Sequence, residues 1–423
     1  MAHISDRRTV LAMLAAATST GAARSPDALS RILNPAAGPP MASAGLIARR
    51  ADGSVALQVA GGDAFGPAGQ RPFSLDLPFR VASVSKMIAT SVFLLLAMKQ
   101  GFDLDADASE PLGFRLRHPA WPDTAISTRM LLTHTSGLRN GTSYPVPLGH
   151  KLSEAFTQGA RHYDAGGWFG PPQHQPGAWF AYADVNFALV GQLLERLTGE
   201  RFDLVMHRAL FRPLRLDIGY NWSGVSPAKR ARAAAGVRRF GGPWTAQVDA
   251  SVPPFPTPSL TRAPGAELEA YRPGDNGFVF SPLGGLRLSL RDMDRLARMF
   301  TRHGEDVVPR AALEAMQTRA WALDRAHPNG DADGVFQSYG LGCETPVGTP
   351  GPAGDAYFGA DTGDWRGHSG DAYGWMTGLF WNRRDGRTVV WAVNGMPETE
   401  RPPARGSVLT APEEALLALA FYA

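Results

Sequence analysis

Two β-hairpin patterns near opposite ends of the chain constrain the fold more than any other feature. In Ala44–Ala60, two apolar runs flank Asp52-Gly53, a pair that supplies the positive φ of a tight turn. Near the other end, Met376–Asn382 and Thr388–Val393 flank a turn that contains Asp385-Gly386. The long segment between the hairpins has few alternating runs and is mostly helical or loop-like in pattern. This order predicts one sheet built from both ends of the chain, with a helical region inserted between its halves.

Four helix patterns can be placed along the chain. Ser83–Gln100 is nearly apolar throughout and is followed by a glycine, so a central buried helix is expected there. Apolar residues at spacings of three and four predict a second helix that ends at Gly199. Ser289 can cap a third helix that runs through Phe300, and Thr410 begins a capping-box pattern for a C-terminal helix.

These patterns give approximate boundaries for the two parts of the fold. The sheet-bearing α/β part is predicted to comprise about residues 44–82 and 330–423, and the helical part about residues 83–329. Two stretches rich in proline, glycine and aromatic residues, 140–177 and 241–284, lie within the helical part. They are too long for simple connections and are expected to cover a site.

The first 23 residues have the pattern of an export signal. Arg7-Arg8 precede the apolar stretch Val10–Ala17, which small residues follow. The paired arginines indicate a twin-arginine signal and therefore a periplasmic or secreted protein, with a frayed amphipathic terminus as the alternative. A Pro/Ala-rich linker is expected over residues 24–43, ahead of a folded domain at residues 44–423.

Composition narrows the possible functions. The 423 residues carry a net charge of +3 and contain no basic run interleaved with aromatics, so nucleic acid is not an expected partner. The single cysteine, Cys343, excludes an intrachain disulfide and a cysteine-based metal cluster. Neither a His-Glu-x-x-His motif nor a Walker glycine loop occurs, so no metal and no cofactor is expected. The apolar stretch Met87–Met98 is too short to span a bilayer, and no stable membrane span is expected.

Ser83 and Lys86 form the first element of a candidate active site. Residues three apart share a helix face, so Lys86 can contact Ser83 while Ser85 points elsewhere. A serine hydroxyl becomes a nucleophile when a nearby base removes its proton, and a desolvated lysine can serve as that base. The alternative, an N-cap serine with a surface lysine, fits less well because the helix that follows is apolar.

Two further motifs supply possible partners. Tyr182 lies just before the second predicted helix, and a tyrosine near a lysine can have its pKa lowered and carry a proton. For a lone tyrosine, core packing is the alternative. Gly367-His368-Ser369-Gly370 leads into the C-terminal strands, with a polar turn as the alternative. It also begins a Gly-x-Ser-x-Gly nucleophile elbow, but the fifth position is Asp371 rather than glycine.

Taken together and in this order, the motifs resemble those of the penicillin-recognising serine hydrolases, in particular the class C β-lactamases and the related penicillin-binding-protein-like esterases and D-peptidases. The resemblance covers about Ala44 to Val393. The matching stretches are Phe79–Lys86, Leu131–Leu138, Pro176-Gly177 with Tyr182, Asn186–Gly191, Glu195–Gly199, Pro213-Leu214, Gly284–Leu286 and Tyr339–Gly342. The resemblance implies an α+β fold of the β-lactamase/transpeptidase type, in which an antiparallel sheet flanked by helices packs against a mostly helical domain.

The resemblance also implies roles for individual residues. Ser83 takes the acyl group, while Lys86 and Tyr182 exchange its proton. The backbone N–H groups of Ser83 and Asp371 form the oxyanion hole. The substrate-binding positions are Asp184, His368, Ser369 and Gly370.

Two positions depart from the family pattern. Its Tyr-x-Asn motif ends here in Asp184, and its Lys-Thr-Gly motif begins here with His368, a variant that the wider family also uses. Histidine is mostly neutral at pH 7 and Asp184 adds a negative charge, so the site is expected to disfavour an anionic β-lactam. If Asp184 lies about 4 Å from Lys86, their attraction is roughly 4 kcal/mol at an effective dielectric near 20. That attraction is expected to hold the lysine protonated and to shift base duty towards Tyr182.

The sequence therefore predicts a serine hydrolase that forms an acyl-enzyme with a small molecule, with a carboxylic ester as the leading substrate. A D-alanyl-D-alanine carboxypeptidase or D-aminopeptidase and a weak β-lactamase are the alternatives within the family. A catalytically silent relative, used as a binding or assembly module, is the alternative of another class. Aromatic residues near the motifs are expected either to line an apolar pocket or to pack in the core: Trp168, Phe169, Trp179, Phe180, Trp365, Tyr373 and Trp375.

Overall fold

The computed structural model describes residues 25–421, with gaps at residues 37, 67–68, 165, 240–241, 248–267, 269, 303, 332–335, 360, 362, 398–400 and 402. The expected export signal at residues 1–23 lies outside the described residues, as does much of the stretch 241–284.

The described part of the chain contains short runs of strands separated by groups of helices. The helices are α1 (Ser25–Leu33), α2 (Val84–Gln100), α3 (Ser109–Leu112), α4 (Thr128–Leu132), α5 (Asp184–Thr198), α6 (Phe202–Met206), α7 (Pro227–Arg230), α8 (Leu290–Thr301), α9 (Arg310–Gln317) and α10 (Ala411–Phe421). The strands are β1 (Ser43–Arg49), β2 (Val55–Ala64), β3 (Arg71–Pro72), β4 (Phe79–Arg80), β5 (Gly219–Tyr220), β6 (Gly236–Arg239), β7 (Trp244–Gln247), β8 (Leu286–Leu288), β9 (Trp321–Ala322), β10 (Ser338–Tyr339), β11 (Trp365–Ala372), β12 (Trp375–Asn382) and β13 (Thr388–Asn394). A 3₁₀ turn spans Leu152–Ala155 and a π-helical turn spans His207–Phe211.

Both predicted hairpins lie in one six-stranded antiparallel sheet with the order β11-β12-β13-β1-β2-β3. Strand β1 pairs with β13 along its whole length, so strands from opposite ends of the chain are neighbours. Gly53 and Gly386 each have a φ of 80°, as the two tight turns require. The structure therefore confirms the predicted sheet built from N- and C-terminal segments. The Gly367–Gly370 motif lies within the edge strand β11 rather than in a turn.

Alternate residues of the sheet face two separate hydrophobic cores. Ile47 and Leu379 belong to the larger core, on the face where α8 packs. Their neighbours Leu46 and Phe380 belong to the smaller core, on the face covered by α1 and α10. Successive side chains of a strand point to opposite faces of the sheet, so a strand that is covered on both faces contributes alternate residues to two cores. The sheet is thus a middle layer between helices.

Two boundary predictions need correction. Residues 25–33 of the expected linker form helix α1, because Leu29, Ile32 and Leu33 recur on one helix face and are buried against the sheet. Helix α8 falls inside the predicted helical part, residues 83–329, yet it packs on β12 and β13. Ser289 caps this helix as predicted, and Asp292 completes a capping box with it.

Helix α2 is the central element of the helical part. Every residue from Val84 to Ala97 is buried, and Gly101 ends the helix with a left-handed φ of 64°. The helix packs against α5 and α9 on one side and against β11 and β12 on the other. Its N-terminus therefore lies where the helical part meets the sheet edge. Among the described helices, none is both long and apolar enough to cross a membrane.

Candidate active site

Ser83 stands at the N-cap of α2, directly after a sharp change in backbone direction. The preceding residue, Ala82, has a φ of 47°, a left-handed conformation that residues with a Cβ rarely adopt. The Ser83 side chain makes no hydrogen bond to the helix N-terminus, although the N-cap position would allow one. Its hydroxyl is instead turned to Lys86. Local strain of this kind is concentrated at functional sites.

Lys86 is fully buried, and three acceptors surround its ammonium group. Its Nζ donates to Ser83 Oγ at 2.9 Å, to Asp184 Oδ1 at 2.7 Å and to the carbonyl of Leu283 at 2.7 Å. Burial is the largest single effect and lowers the pKa of Lys86, but Asp184 and Tyr182 together outweigh it, so the pKa of Lys86 is raised. The resting lysine is therefore an ammonium ion, as expected from a close Asp184.

Tyr182 lies beside Lys86, with its ring centroid 4.8 Å from Lys86 Nζ. Its hydroxyl is buried and makes no hydrogen bond of ordinary geometry within the described part of the chain, but Lys86 and Ser83 both lie close enough to act on its pKa. Burial raises the pKa of Tyr182, and the positive charge of Lys86 offsets this only in part. This corrects the expected lowering by a nearby lysine. The resting site holds a neutral phenol beside an ammonium ion.

The Leu131–Leu138 stretch holds Tyr182 in place through His134. The imidazole of His134 is fully buried and lies 4.3 Å from the Tyr182 ring, centroid to centroid. Its Nδ1 accepts the N–H of Ala183 at 3.2 Å and lies 3.0 Å from Asn186 Nδ2. Burial lowers the pKa of His134 well below its ordinary value, so the ring is neutral and can accept these bonds. The resemblance identified this stretch, but it gave His134 no role.

Asp184 begins helix α5 and faces two partners at once. While Oδ1 accepts from Lys86, Oδ2 accepts the hydroxyl of Tyr144 at 3.0 Å. Tyr144 belongs to the stretch 140–177, whose Asn140 also accepts the N–H of Val185 through its side chain at 3.1 Å. This stretch therefore contacts the site, as predicted. Residue patterns alone did not identify Tyr144, because it is far from Asp184 in sequence.

His368 does not lie where a substrate-binding residue is expected. Its side chain is fully buried, its Nε2 is 2.7 Å from the hydroxyl of Tyr339, and its Nδ1 is 3.4 Å from Glu344. Burial lowers the pKa of His368 to about 3, and the charge of Lys86 adds to this effect. The neutral ring of His368 packs near Tyr182 and occupies the position of the lysine in the Lys-Thr-Gly pattern. This corrects the predicted role of His368 in contacting substrate.

Ser369 is tied to a buried carboxylate that the sequence motifs did not reveal. Both its N–H and its hydroxyl donate to Glu344 Oε1, each at 2.6 Å. Tyr357 donates to the other oxygen of Glu344 at 3.1 Å. Burial raises the pKa of Glu344 to about 7. Glu344 therefore holds strand β11 in place through the two hydrogen bonds that it accepts from Ser369.

Gly370 allows strand β11 to approach the nucleophile closely. A Cβ at this position would lie 3.1 Å from the nitrogen of Ser83 and 2.5 Å from the carbonyl oxygen of Val81. Only glycine fits such an approach. Asp371 follows on the edge strand, with its exposed side chain paired to Arg401. The backbone thus passes beside Ser83, and the oxyanion hole formed by the N–H groups of Ser83 and Asp371 stays a prediction.

The aromatic residues near the motifs mostly pack in the core. The buried members are Trp168, Phe169, Phe180, Trp365 and Trp375. Trp179 and Tyr373 are half-buried, and the ring of Tyr373 lies 4.8 Å from the guanidinium carbon of Arg80. The apolar-pocket interpretation therefore holds for two of these side chains at most.

Two solved structures show the same fold over almost the whole chain. EstCE1, described as a hydrolase with promiscuous acyltransferase activity, has a TM-score of 0.65 and 19% identity, over 94% of this chain and 98% of that chain. The D-amino acid amidase of Ochrobactrum anthropi SV3, solved with L-phenylalanine, has a TM-score of 0.63 and 17% identity, over 93% and 96%. These likenesses confirm the predicted β-lactamase/transpeptidase-like fold.

The curated relatives match about a third of this chain, whereas the family model matches most of it. The ML-236A carboxylate methylbutanoyltransferase mlcH of Penicillium citrinum is 30% identical over 158 residues, which are 34% of this chain and 37% of that protein. A stretch of little more than a third of that relative is therefore matched. The model of the Beta-lactamase family matches residues 41–411, which include the Ser83, Tyr182 and His368 motifs. Because that match covers most of the chain, this protein belongs to the Beta-lactamase family.

Proposed function

We propose that this protein is a serine hydrolase that cleaves carboxylic esters through an acyl-enzyme on Ser83. One observation carries the proposal: a fully buried Lys86 ammonium that contacts Ser83 Oγ at 2.9 Å and Asp184 at 2.7 Å. A buried ion pair is weak support for stability, because desolvation offsets most of the attraction between its charges. A serine nucleophile, by contrast, needs at this distance a group that can take its proton, and Lys86 becomes one when the Lys86–Tyr182 pair has lost a proton.

The reactive form of the site carries one proton fewer than the resting form. Loss of a proton from the coupled Lys86–Tyr182 pair leaves either an amine or a phenolate beside Ser83. As Ser83 Oγ attacks the ester carbonyl, the pair accepts the hydroxyl proton. Negative charge then develops on the carbonyl oxygen near the backbone of β11, where preorganised N–H groups can stabilise it.

Collapse of the tetrahedral intermediate breaks the bond to the alcohol. The buried Tyr182 hydroxyl lies close to Lys86 and Ser83 and has no other described partner, so it can pass the proton to the leaving alkoxide. Water then attacks the acyl-Ser83 ester and gives its proton to the same pair, which returns it to Ser83. An alcohol in place of water would instead yield a new ester; acyl transfer is named for EstCE1, and methylbutanoyl transfer for mlcH.

The charges of the site favour a substrate without a carboxylate. His368 is neutral and fully buried, and the Asp184 side chain is 27% exposed. An anionic substrate is therefore repelled by the Asp184 carboxylate. The lysine of the family's Lys-Thr-Gly motif, which would attract it, is replaced by the neutral His368. The amide of a D-amino acid is a second candidate substrate, because the partly exposed Asp184 carboxylate can pair with its ammonium group.

We expect neutral esters to be cleaved with a kcat/KM at least about a hundredfold above that for cephalosporins or D-alanyl-D-alanine peptides, equivalent to roughly 2.7 kcal/mol of transition-state preference. Parallel assays with a p-nitrophenyl ester, a chromogenic cephalosporin, a D-alanyl peptide and a D-amino acid amide measure this ratio. Because His368 has a pKa of about 3, lowering the pH to 5 should not increase cephalosporin hydrolysis. Efficient cephalosporin hydrolysis at pH 8 would contradict the charge argument.

We expect Asp184→Asn to move the alkaline rise of kcat/KM to lower pH. Asp184 raises the pKa of Lys86, so the wild-type reactive form becomes more abundant as the pH increases through and beyond neutrality. Removing the carboxylate leaves burial to lower the pKa of Lys86, and the rise should shift by at least about one pH unit. The measurement is the kcat/KM of a neutral ester between pH 5 and pH 9, corrected for spontaneous hydrolysis.

Tyr144→Phe is the matched control for Asp184→Asn. It removes the 3.0 Å hydrogen bond to Asp184 but keeps the carboxylate charge. Its profile should therefore stay within a few tenths of a pH unit of the wild type. Superimposable profiles for Asp184→Asn and the wild type would show that Asp184 does not control the protonation of Lys86.

A further inference from the structure

Three side chains of metal-ligand type converge in the stretch 140–177, away from the Ser83 site. One ligand atom from each of His150, Glu154 and His162 lies within 4.8 Å of the other two. His150 Nδ1 is 3.3 Å from Glu154 Oε2, and the imidazole rings of His150 and His162 have centroids 4.7 Å apart. All three residues are partly buried. Sequence spacing did not reveal this group, because His162 joins it through the folding of a long connection.

The polar atoms of this group are incompletely satisfied. The Nε2 atom of His162 is buried and makes no hydrogen bond with the described residues. A buried imidazole nitrogen without a partner costs free energy unless a ligand satisfies it. The hydrogen bond between His150 and Glu154 therefore holds two of the three side chains together, but it leaves the His162 nitrogen unsatisfied among the described residues.

The backbone around each of the three residues is held by hydrogen bonds. Glu154 Oε1 accepts the N–H of Lys151 at 2.9 Å, which leaves Oε2 directed at His150. The carbonyl of His150 accepts from Asn276 at 3.1 Å, and the carbonyl of His162 accepts from the indole of Trp168 at 2.9 Å. Such supporting bonds orient metal ligands in proteins.

We propose that His150, Glu154 and His162 bind a divalent transition metal ion, with zinc as the best fit. Two imidazoles and one carboxylate form a three-ligand zinc set with an open fourth position. Neighbouring ligand atoms in a tetrahedral zinc site lie about 3.4 Å apart, so the widest pairs here need to close by only about 1.4 Å. Magnesium and calcium prefer oxygen ligands and fit this donor set poorly.

The metal would act on the covering stretch and takes no part in the chemistry at Ser83. It joins the 3₁₀ turn at Leu152–Ala155 to His162, and thereby pins the stretch that carries Tyr144. Tyr144 contacts Asp184 at 3.0 Å, so binding stabilises the cover of the active site. The proposal does not depend on ester hydrolysis.

Metal titration of the untagged full-length protein after chelator treatment tests the proposal. Calorimetry with zinc chloride should give one saturable equivalent, and cobalt(II) should give the intense visible absorption of a four-coordinate site. Zinc should raise Tm, whereas magnesium should bind at least tenfold more weakly. His162→Ala and the isosteric Glu154→Gln should each weaken zinc binding at least about tenfold.

His327→Ala provides the matched control, because it removes a histidine that is 89% exposed and pairs with Asp324 elsewhere on the surface. This variant should bind zinc like the wild type. The proposal is overturned if wild-type protein shows no saturable zinc binding. It is equally overturned if Glu154→Gln, His162→Ala and His327→Ala all bind zinc with the wild-type affinity.

Discussion

Ser83→Ala is expected to lower ester turnover by at least about 10⁴-fold, because removing the nucleophile leaves only binding and electrostatic stabilisation. The Ser83 hydroxyl makes no helix-capping bond, so its loss should leave Tm within a few degrees of the wild type. Steady-state hydrolysis of a p-nitrophenyl ester, together with thermal unfolding, separates a catalytic loss from a folding loss.

Ser369→Ala is the matched control for this variant. The Ser369 hydroxyl donates to Glu344 at 2.6 Å and so has a structural partner. Its removal should reduce activity far less than Ser83→Ala does. If Ser369→Ala abolished turnover while Ser83→Ala kept it, the nucleophile would be in the Gly367–Gly370 motif and the account of the site would be wrong.

Lys86→Arg is expected to reduce kcat by about 10³-fold or more, nearly as much as Lys86→Ala. A guanidinium group does not give up its proton near neutral pH, so it cannot take part in exchange with Tyr182 and Ser83. Positioned acid–base groups contribute about 10²- to 10⁴-fold. The larger side chain also has to enter a position with 0% exposure, so thermal unfolding must accompany the kinetics.

Lys99→Arg is the control for the Lys86 variant, because it makes the same substitution at the exposed end of the same helix. It should keep both wild-type kcat and wild-type Tm. If Lys86→Arg folds and retains most of kcat, the lysine serves only as a fixed positive charge, and a neutral amine is not part of the mechanism.

Much of the fold could be predicted because tight turns, strands and a buried helix each leave a pattern in neighbouring residues. Apolar runs on either side of Asp52-Gly53 and Asp385-Gly386 identified two hairpins, and the pairing of β1 with β13 joins them. A nearly continuous apolar run identified the buried helix α2. Helix α1 was missed, because its three apolar contacts lie in a segment whose composition is typical of a linker.

The candidate site divides in the same way. The spacing of Ser83 and Lys86, and the Tyr182 motif that the resemblance supported, identified groups that the structure does bring together. Tyr144 was missed because only the tertiary fold brings it next to Asp184. Leu283 was missed because its backbone carbonyl makes the contact, and any residue type has one.

His368 shows the limit of transferring a role by motif position. The residue aligns with a substrate-binding lysine, yet its neutral ring packs against Tyr339 and contacts no open space. Burial, which a motif does not report, decides its protonation. Glu344 is the converse case, since a buried carboxylate with a pKa of about 7 supports the motif without belonging to it.

Trapping the acyl-enzyme shows which serine carries the acyl group. Wild-type protein is mixed with a slowly deacylated ester, quenched in acid and analysed by intact-mass and peptide mass spectrometry. We predict a mass increase of one acyl group on the peptide that contains Ser83, and its absence in Ser83→Ala. An acyl group on Ser136 or Ser369, or steady turnover without any acylated protein on the millisecond-to-second timescale, would contradict the account.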